Sequence, residues 1–189
     1  MMKPGLPEVF FIKDMLIGEK VVKTQRNLGA LKSVFADQEA FESVDQEQLA
    51  YEVYSYLPVE EGTDGGLFFG ITCMYPIKVG GEYLMTKGHF HANRDTAEFY
   101  WGIEGEGMLL LMDEEGKCRL EKVFPGSLHY IGGCLAHRMI NTCNRVFSFG
   151  ACWPSDAGHD YGSIEREGFS VRVYEEDGQP VVKKVIDIE

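Results

Sequence analysis

Cationic side chains are scarce in this sequence: 18 Lys and Arg stand against 30 Asp and Glu, a formal net charge of -12. Nucleic acids and anionic membranes both call for a basic surface, so neither is expected as a partner. Long apolar runs are missing as well. The stretch Met1 to Glu19 is broken by Lys3, Pro4, Pro7, Glu8, Lys13 and Asp14, so it reads as neither a signal peptide nor a membrane span. No later segment is apolar for long enough to cross a bilayer. Cysteines number five (Cys73, Cys118, Cys134, Cys143 and Cys152) and none form a C-x-x-C pair. An odd count without that spacing points to free thiols in a reducing compartment, hence to the cytoplasm. Internal repeats and low-complexity linkers are also absent.

What is present describes one domain of 189 residues, rich in Gly (22) and in aromatics (12%). Together these favour a β-rich chain with many tight turns. From Leu28 to Leu49 the pattern is helix-like, with Leu31, Val34, Phe35, Phe41 and Val44 among Glu, Gln and Asp. Asp37 is placed to cap a helix beginning near Ala40 and Phe41. One or two short helices are therefore expected in an N-terminal extension, residues 1–50, packed on a barrel formed by residues 51–189.

From Tyr51 onward short β-prone runs recur between Gly, Pro, Asp and Asn clusters. They are Tyr51–Leu57, Leu67–Tyr75, Glu82–Thr86, Ala97–Ile103, Gly107–Met112, Lys117–Val123, Ser127–Ile131, His137–Asn141 and Val146–Cys152, then Phe169–Tyr174 and Val181–Ile186. Even spacing of many short strands predicts an all-β sandwich or barrel. Glu114-Glu115-Gly116 reads as a hairpin turn and Pro125-Gly126 as another. Strand–helix–strand alternation is lacking, which argues against a doubly wound or TIM architecture.

The densest chemical signal is Gly88-His89-Phe90-His91 followed by Glu98. Side chains two apart on a strand share a face, so both imidazoles can enter one cavity. Glu98 follows a polar loop, Ala92 to Thr96, and a hairpin would return it beside them. A third imidazole, His137, begins a later strand. A lone His-x-His pair is weak evidence, and surface pairs bonded to their neighbours are commoner. Here two of only five histidines sit in the motif, an acid follows at hairpin distance and a third His lies on another strand. Three His and one carboxylate suit Fe, Mn, Ni, Zn or Cu. His129, two residues before Ile131 in a strand, reads as a structural histidine. Lys87, next to Thr86, should face away from it, and Arg138, beside a ligand, should point away from the metal into a surface or dimer ion pair.

At these residues the sequence resembles a family. Gly88-His89-x-His91-x6-Glu98-x6-Gly105 is similar to the first cupin motif, and Gly126-x5-Gly132 with His137-x3-Asn141 to the second. More narrowly, Thr86-Lys87-Gly88-His89-Phe90-His91, Ala97-Glu98-x-Tyr100, Ala136-His137-Arg138 and Asp156-Ala157-Gly158-His159-Asp160-Tyr161-Gly162 resemble the cupin-type glucose-6-phosphate isomerases, known mainly from archaea. Tyr51-Glu52-Val53-Tyr54 and Met74-Tyr75-Pro76 fit as well. The resemblance implies a double-stranded β-helix (jelly-roll) barrel and an aldose–ketose isomerase acting on glucose 6-phosphate and fructose 6-phosphate, usually as a homodimer. It implies one divalent metal per subunit, Fe2+ first with Mn2+, Ni2+ or Zn2+ as alternatives, on His89, His91, Glu98 and His137. Thr72, Thr86 and Gly88 match residues that hold the substrate phosphate; Tyr51, Tyr100, His159 and Tyr161 match others lining the sugar pocket. Two features depart from the family pattern. Trp153 stands where a Tyr precedes Pro154, and indole N–H donates but does not accept. Gly132-Gly133-Cys134-Leu135 replaces a Pro-rich turn, which should loosen the approach to His137.

Isomerisation moves a proton between C2 and C1 while the carbonyl shifts the other way. A metal on the two sugar oxygens would polarise the carbonyl and stabilise an enediolate. Glu98 is the first choice for the base, and Tyr100, on the same strand face, would bond the acid or the sugar. A hydride shift that needs no base is the rival. The segment 158–162 reads as a pocket-closing Gly-bounded loop. Two other functions compete: a metal-dependent cupin dioxygenase, and a non-catalytic sugar-phosphate-binding cupin. The metal reading carries a prediction: His91→Ala or His137→Ala loses metal and activity while the barrel stays folded. Elemental analysis checks it, and metal content equal to the parent's in both variants would refute it.

Overall fold

A computed structural model describes residues 4–185. The N-terminal part holds β1 (Phe10–Ile12), β2 (Met15–Ile17), β3 (Val21–Asn27), a 3-10 helix (Leu28–Val34) and α1 (Gln38–Glu42). Then follow β4 (Leu49–Tyr56), β5 (Leu67–Met74), β6 (Lys78–Val79), β7 (Glu82–Tyr83), β8 (Glu98–Glu104), β9 (Gly107–Met112) and β10 (Cys118–Val123). The chain continues through β11 (Leu128–Ile131), β12 (Ala136–Asn141), β13 (Phe147–Pro154), α2 (Tyr161–Glu167), β14 (Val171–Glu176) and β15 (Gln179–Lys184). Ile186, the expected end of the last strand, lies outside the described residues.

Six strands form one antiparallel sheet in the order β11-β8-β13-β5-β4-β3, and three form a second in the order β10-β9-β12. After β7 the chain runs along β12 through isolated pairs, Met85 with Ile140 and His89 with His137, before entering β8. From there it passes between the sheets: β8 in the first, β9 and β10 in the second, β11 in the first, β12 in the second, β13 in the first. That alternation is the double-stranded β-helix. Period-2 burial follows from it. On β4, Tyr51, Val53 and Ser55 face the interior cavity, and on β5 Gly70 and Thr72 do so. By contrast β12 is buried at all six positions, with Phe169 stacked on its Arg138. Such a strand needs apolar residues on both faces, as Met139 and Ile140 provide.

The anticipated hairpin joins β9 to β10, with Asp113 N–H donating to Lys117 O at 3.1 Å and Gly116 left-handed at φ 79°. The Pro125-Gly126 turn is closed by Ser127 N–H to Phe124 O at 2.9 Å. Asp37 caps α1 as anticipated, accepting from Ala40 N–H at 2.8 Å. Two features were not anticipated. Three strands precede Tyr51, and β3 pairs along β4 from Val21–Tyr56 to Asn27–Leu49, extending the large sheet. Its sequence, Val-Val-Lys-Thr-Gln-Arg-Asn, is largely polar and exposed, so an apolar pattern could not reveal it. The segment read as a Gly-bounded loop instead leads into α2, capped by Asp160 from Ser163 N–H at 3.2 Å. A short capped helix beginning on Tyr-Gly gives little 3.6-residue periodicity to read.

Candidate metal centre and substrate cavity

Glu98 opens β8 in the large sheet, and His137 sits on β12 in the facing small one. His89 is bridged to His137 by both backbone hydrogen bonds, His89 N–H to His137 O at 3.2 Å and the reverse at 3.0 Å. One ligand atom from each of His89, His91, Glu98 and His137 lies within 4.8 Å of the other three. The predicted four therefore converge, from both walls of the barrel. His91, Glu98 and His137 are 5%, 4% and 1% exposed, so their electrostatics operate away from bulk water.

The hydrogen bonds decide which ring nitrogens are available. Thr96 Oγ1 gives its proton to Asn93 O at 2.7 Å, so it accepts from His91 Nδ1 at 2.9 Å, and Thr96 O lies 3.1 Å from the same nitrogen. His91 Nε2 is then turned to Glu98 Oε1 at 3.3 Å. His137 Nδ1 donates to Leu135 O at 3.2 Å. Its Nε2 is 2.6 Å from the same Glu98 oxygen but off the axis a hydrogen bond requires, and no other partner reaches it. Two imidazole Nε2 atoms and a carboxylate oxygen thus share one buried volume, where a divalent cation would take the place of the protons that otherwise bridge them. Divalent metal fits this donor set.

Burial holds His89 well below the ordinary imidazole range, helped by the imidazoles of His137, His159 and His91. For Glu98, burial alone would raise the carboxyl, but the adjacent imidazoles of His137 and His91 more than offset it and leave it at about 2. Burial also pulls His91 down, yet the hydrogen bond and charge of Glu98 prevail and its net shift is upward. Tyr100 is pushed well above the phenol range by burial and then by Glu98.

His89, His91 and Glu98 of the cluster line a cavity of about 440 Å³, the size of a small-ligand site. The residues matched to phosphate and sugar contacts also line it: Tyr51, Thr72, Thr86, Gly88, Tyr100, Trp153, His159 and Tyr161. His159 and Tyr161 stack at 5.6 Å with an interplanar angle of 4°, and the His159 ring is 4.5 Å from His89. Burial lowers His159 and raises Tyr161. Thr86 Oγ1 accepts from Met139 N–H at 3.0 Å, which leaves the hydroxyl proton free to donate. Gly88 is left-handed at φ 75°, and a Cβ there would fall 2.8 Å from the Phe169 ring. Trp153 finds its room over Gly70, where a Cβ would come within 3.1 Å of the indole.

Two expectations are corrected. Lys87 lines the cavity, because residues 86–88 lie outside any strand and the alternation rule does not apply to them. Its Nζ bonds Glu165 at 2.5 Å and lies 5.3 Å from the centre of the Tyr161 ring. Arg138 does point away from the cluster, but it is buried rather than exposed. It stacks on Phe169 at 4.1 Å, donates from Nη2 to Lys87 O at 2.8 Å and has Nε unpaired. Burial lowers it to about 9. His129 is structural as expected, with Nδ1 2.7 Å from Glu121 and Nε2 2.9 Å from Ser127. Sequence reasoning missed Thr24 and Arg26 of β3 and Ser55 of β4, all on the cavity wall. Their alternate spacing was visible, but nothing marked β3 as a strand.

The pattern that defines the glucose-6-phosphate isomerase family matches residues 23–188. The chain belongs to that family. Within it, the glucose-6-phosphate isomerase of Thermococcus kodakarensis is 46% identical over 87% of this chain and 85% of its own length. That of Pyrococcus horikoshii is 43% identical over 95% and 93%, and that of the bacterium Sinorhizobium medicae 34% over 85% and 76%. Among solved structures, oxalate decarboxylase from Bacillus subtilis aligns at a TM-score of 0.44 with 18% identity, over 58% of this chain and 26% of that one. That likeness is too distant to argue from; membership in the isomerase family rests on sequence.

Because His91 is shifted upward, metal entering the cluster must displace a proton from it, whereas His89 is already deprotonated at neutral pH. Affinity for Mn2+ is therefore expected to fall by up to about tenfold per pH unit on acidification below the His91 pKa, with about one proton released. Calorimetry in buffers of different ionisation enthalpy reads that proton. Metal binding with no proton release between pH 6 and 7 would refute it.

Proposed function

We propose that this chain interconverts glucose 6-phosphate and fructose 6-phosphate at one divalent metal held by His89, His91, Glu98 and His137. The observation that carries this reading is the pair of imidazole Nε2 atoms facing one carboxylate oxygen beside a cavity of hexose-phosphate size. Fe2+ is the first candidate, with Mn2+, Ni2+ and Zn2+ the alternatives that mixed N/O ligands also suit. When bound, the metal supplies Lewis acidity that polarises the sugar carbonyl.

The residues do the rest. Thr72, Thr86 and the backbone at Gly88 hold the phosphate, joined by Arg26 and Lys87, whose charges supply the local field that a chain of net charge -12 otherwise lacks. Trp153 offers its N–H to the same group. Tyr51, His159 and Tyr161 orient the sugar. Tyr100, protonated at any physiological pH, donates toward Glu98 and the sugar oxygens. Glu98 shuttles the proton between C2 and C1. A carboxylate that also ligates the metal is a weakened base, so a direct hydride shift, which needs no base, is the second reading.

A coupled assay for glucose 6-phosphate formed from fructose 6-phosphate, before and after chelation, tests the function. Activity should vanish with chelator and return with metal; turnover untouched by complete metal removal would end the proposal. Run in D2O, deuterium at C2 of the product marks proton transfer and its absence a hydride shift. In the same assay Arg26→Gln should raise KM about tenfold with kcat little changed, as loss of a ground-state phosphate contact requires. An unchanged KM would remove Arg26 from the site.

The molecule is proposed to be a cytoplasmic homodimer without nucleic-acid or membrane partners. Five unpaired cysteines support the compartment. Exposed apolar side chains support assembly: Phe99, Leu128 and Tyr130 on the outer face of the large sheet, and Phe11 and Ile12 on β1. Sedimentation at micromolar concentration should give twice the mass of the chain, and a monomer there would overturn the dimer.

A further inference from the structure

Arg94 takes no part in the reading above, yet it touches three segments that carry site residues. It lies in the loop between His91 and β8 with its side chain 31% exposed. Nη1 donates to His91 O at 2.7 Å, and Nη2 to Asp160 Oδ2 at 2.7 Å. The guanidinium lies 4.2 Å above the Phe90 ring. Its own carbonyl accepts from Cys134 N–H at 2.8 Å, in the turn that leads to His137. One further acid, Glu114, stands 3.7 Å from Nε.

Asp160 is the N-cap of α2, its carboxylate accepting from Ser163 N–H and, at 2.7 Å, from Ser163 Oγ. It sits between His159 and Tyr161. We propose that Arg94 is a positioning residue that fixes the sugar-facing pair His159 and Tyr161 relative to the metal-ligating segment His89–His91. The inference rests on the isomerase reading for its kinetic consequence, though not for its structural one. A helix as short as α2 is marginal alone, so its start is placed by what holds its cap. The backbone pairing of Phe90 with Asp160 brings the two segments together, and the planar fork of Arg94 adds two charge-assisted bonds that set their angle. The His91 ring is held separately by Thr96, so Arg94 governs where the sugar sits rather than whether metal binds.

The test compares Arg94→Gln, Asp160→Asn, their double variant and Arg94→Lys with the parent. Each single variant should lower kcat/KM about tenfold or more, since a misplacement of an ångström at the reacting atoms costs up to about a hundredfold. Metal content should stay at the parental level. The double variant should be no worse than the poorer single, because both remove one coupling. Arg94→Lys, which keeps the pairing with Asp160 but not the fork, should recover part of the loss. Amide exchange across 157–163 should quicken in Arg94→Gln while β8 is unchanged. Kinetic constants within twofold of the parent, losses that multiply in the double variant, or metal lost along with activity would overturn the proposal. If the parent itself fails to turn over fructose 6-phosphate, the isomerase reading fails instead; the exchange measurement still stands, and unchanged exchange at 157–163 overturns the Arg94 inference by itself.

Discussion

Two imidazole Nε2 atoms and one carboxylate oxygen are held together in a space nearly closed to water. In such surroundings like-signed groups repel strongly, and the surrounding fold has to keep them in place. It does so with backbone. His89 and His137 are fixed to each other by a reciprocal pair of main-chain hydrogen bonds, and each donor-side nitrogen is tied to a carbonyl or hydroxyl, Thr96 for His91 and Leu135 for His137. Glu98 arrives from the opposite sheet. The cluster therefore exists only while the two sheets face each other, which makes the passage of the chain between them the precondition for the site rather than a frame around it.

The same arrangement divides the cavity electrostatically. The acidic group, Glu98, is confined to the candidate metal cluster, where three imidazoles surround it. The rest of the wall carries hydroxyls and the two cations Arg26 and Lys87. Behind it lies a third cation, Arg138, whose guanidinium is buried against Phe169 and bonded to the carbonyl of Lys87. A buried guanidinium without a carboxylate partner is costly unless something offsets it. A phosphate held at Thr86–Gly88 would do so at short range. The overall charge of -12 thus says little about this cavity, because the excess acid is on the surface while the cations line or underlie the pocket.

How much of this could be read beforehand depended on whether the information was local. His89, His91, Glu98 and Tyr100 were legible because pairs two apart on one strand share a face, and the structure places each pair on the same wall. His137 was legible as an imidazole opening a strand. The barrel itself followed from regular short runs of β-prone residues. Lys87 was misread for a local reason: the alternation rule assumes continuous strand, and residues 86–88 are not in one. Arg138 was misread because an exposed ion pair is the usual fate of Arg, and its burial depends on Phe169, thirty-one positions away. Arg26 was invisible because β3 is polar on both faces, one turned to solvent and the other to the cavity. A strand that lines a wet pocket carries no apolar signature.

The two departures from the family pattern illustrate how a distant residue can absorb a local change. An indole in place of a phenol needs extra volume, and Gly70 on the neighbouring strand supplies it by having no side chain where the ring lies. Gly-Gly-Cys in place of a Pro-rich turn removes the constraint that proline places on φ, and the Cys134 residue is left-handed at φ 58°. What proline would have fixed covalently is here fixed by a hydrogen bond, Cys134 N–H to Arg94 O. Proline has no N–H and could not have made that bond. The looseness expected from sequence is therefore offset by coupling the turn to the loop that also carries the Arg94 guanidinium. In this chain one residue serves both through separate groups: the backbone carbonyl of Arg94 holds the turn toward His137, and its side chain joins the carbonyl of His91 to the cap of α2.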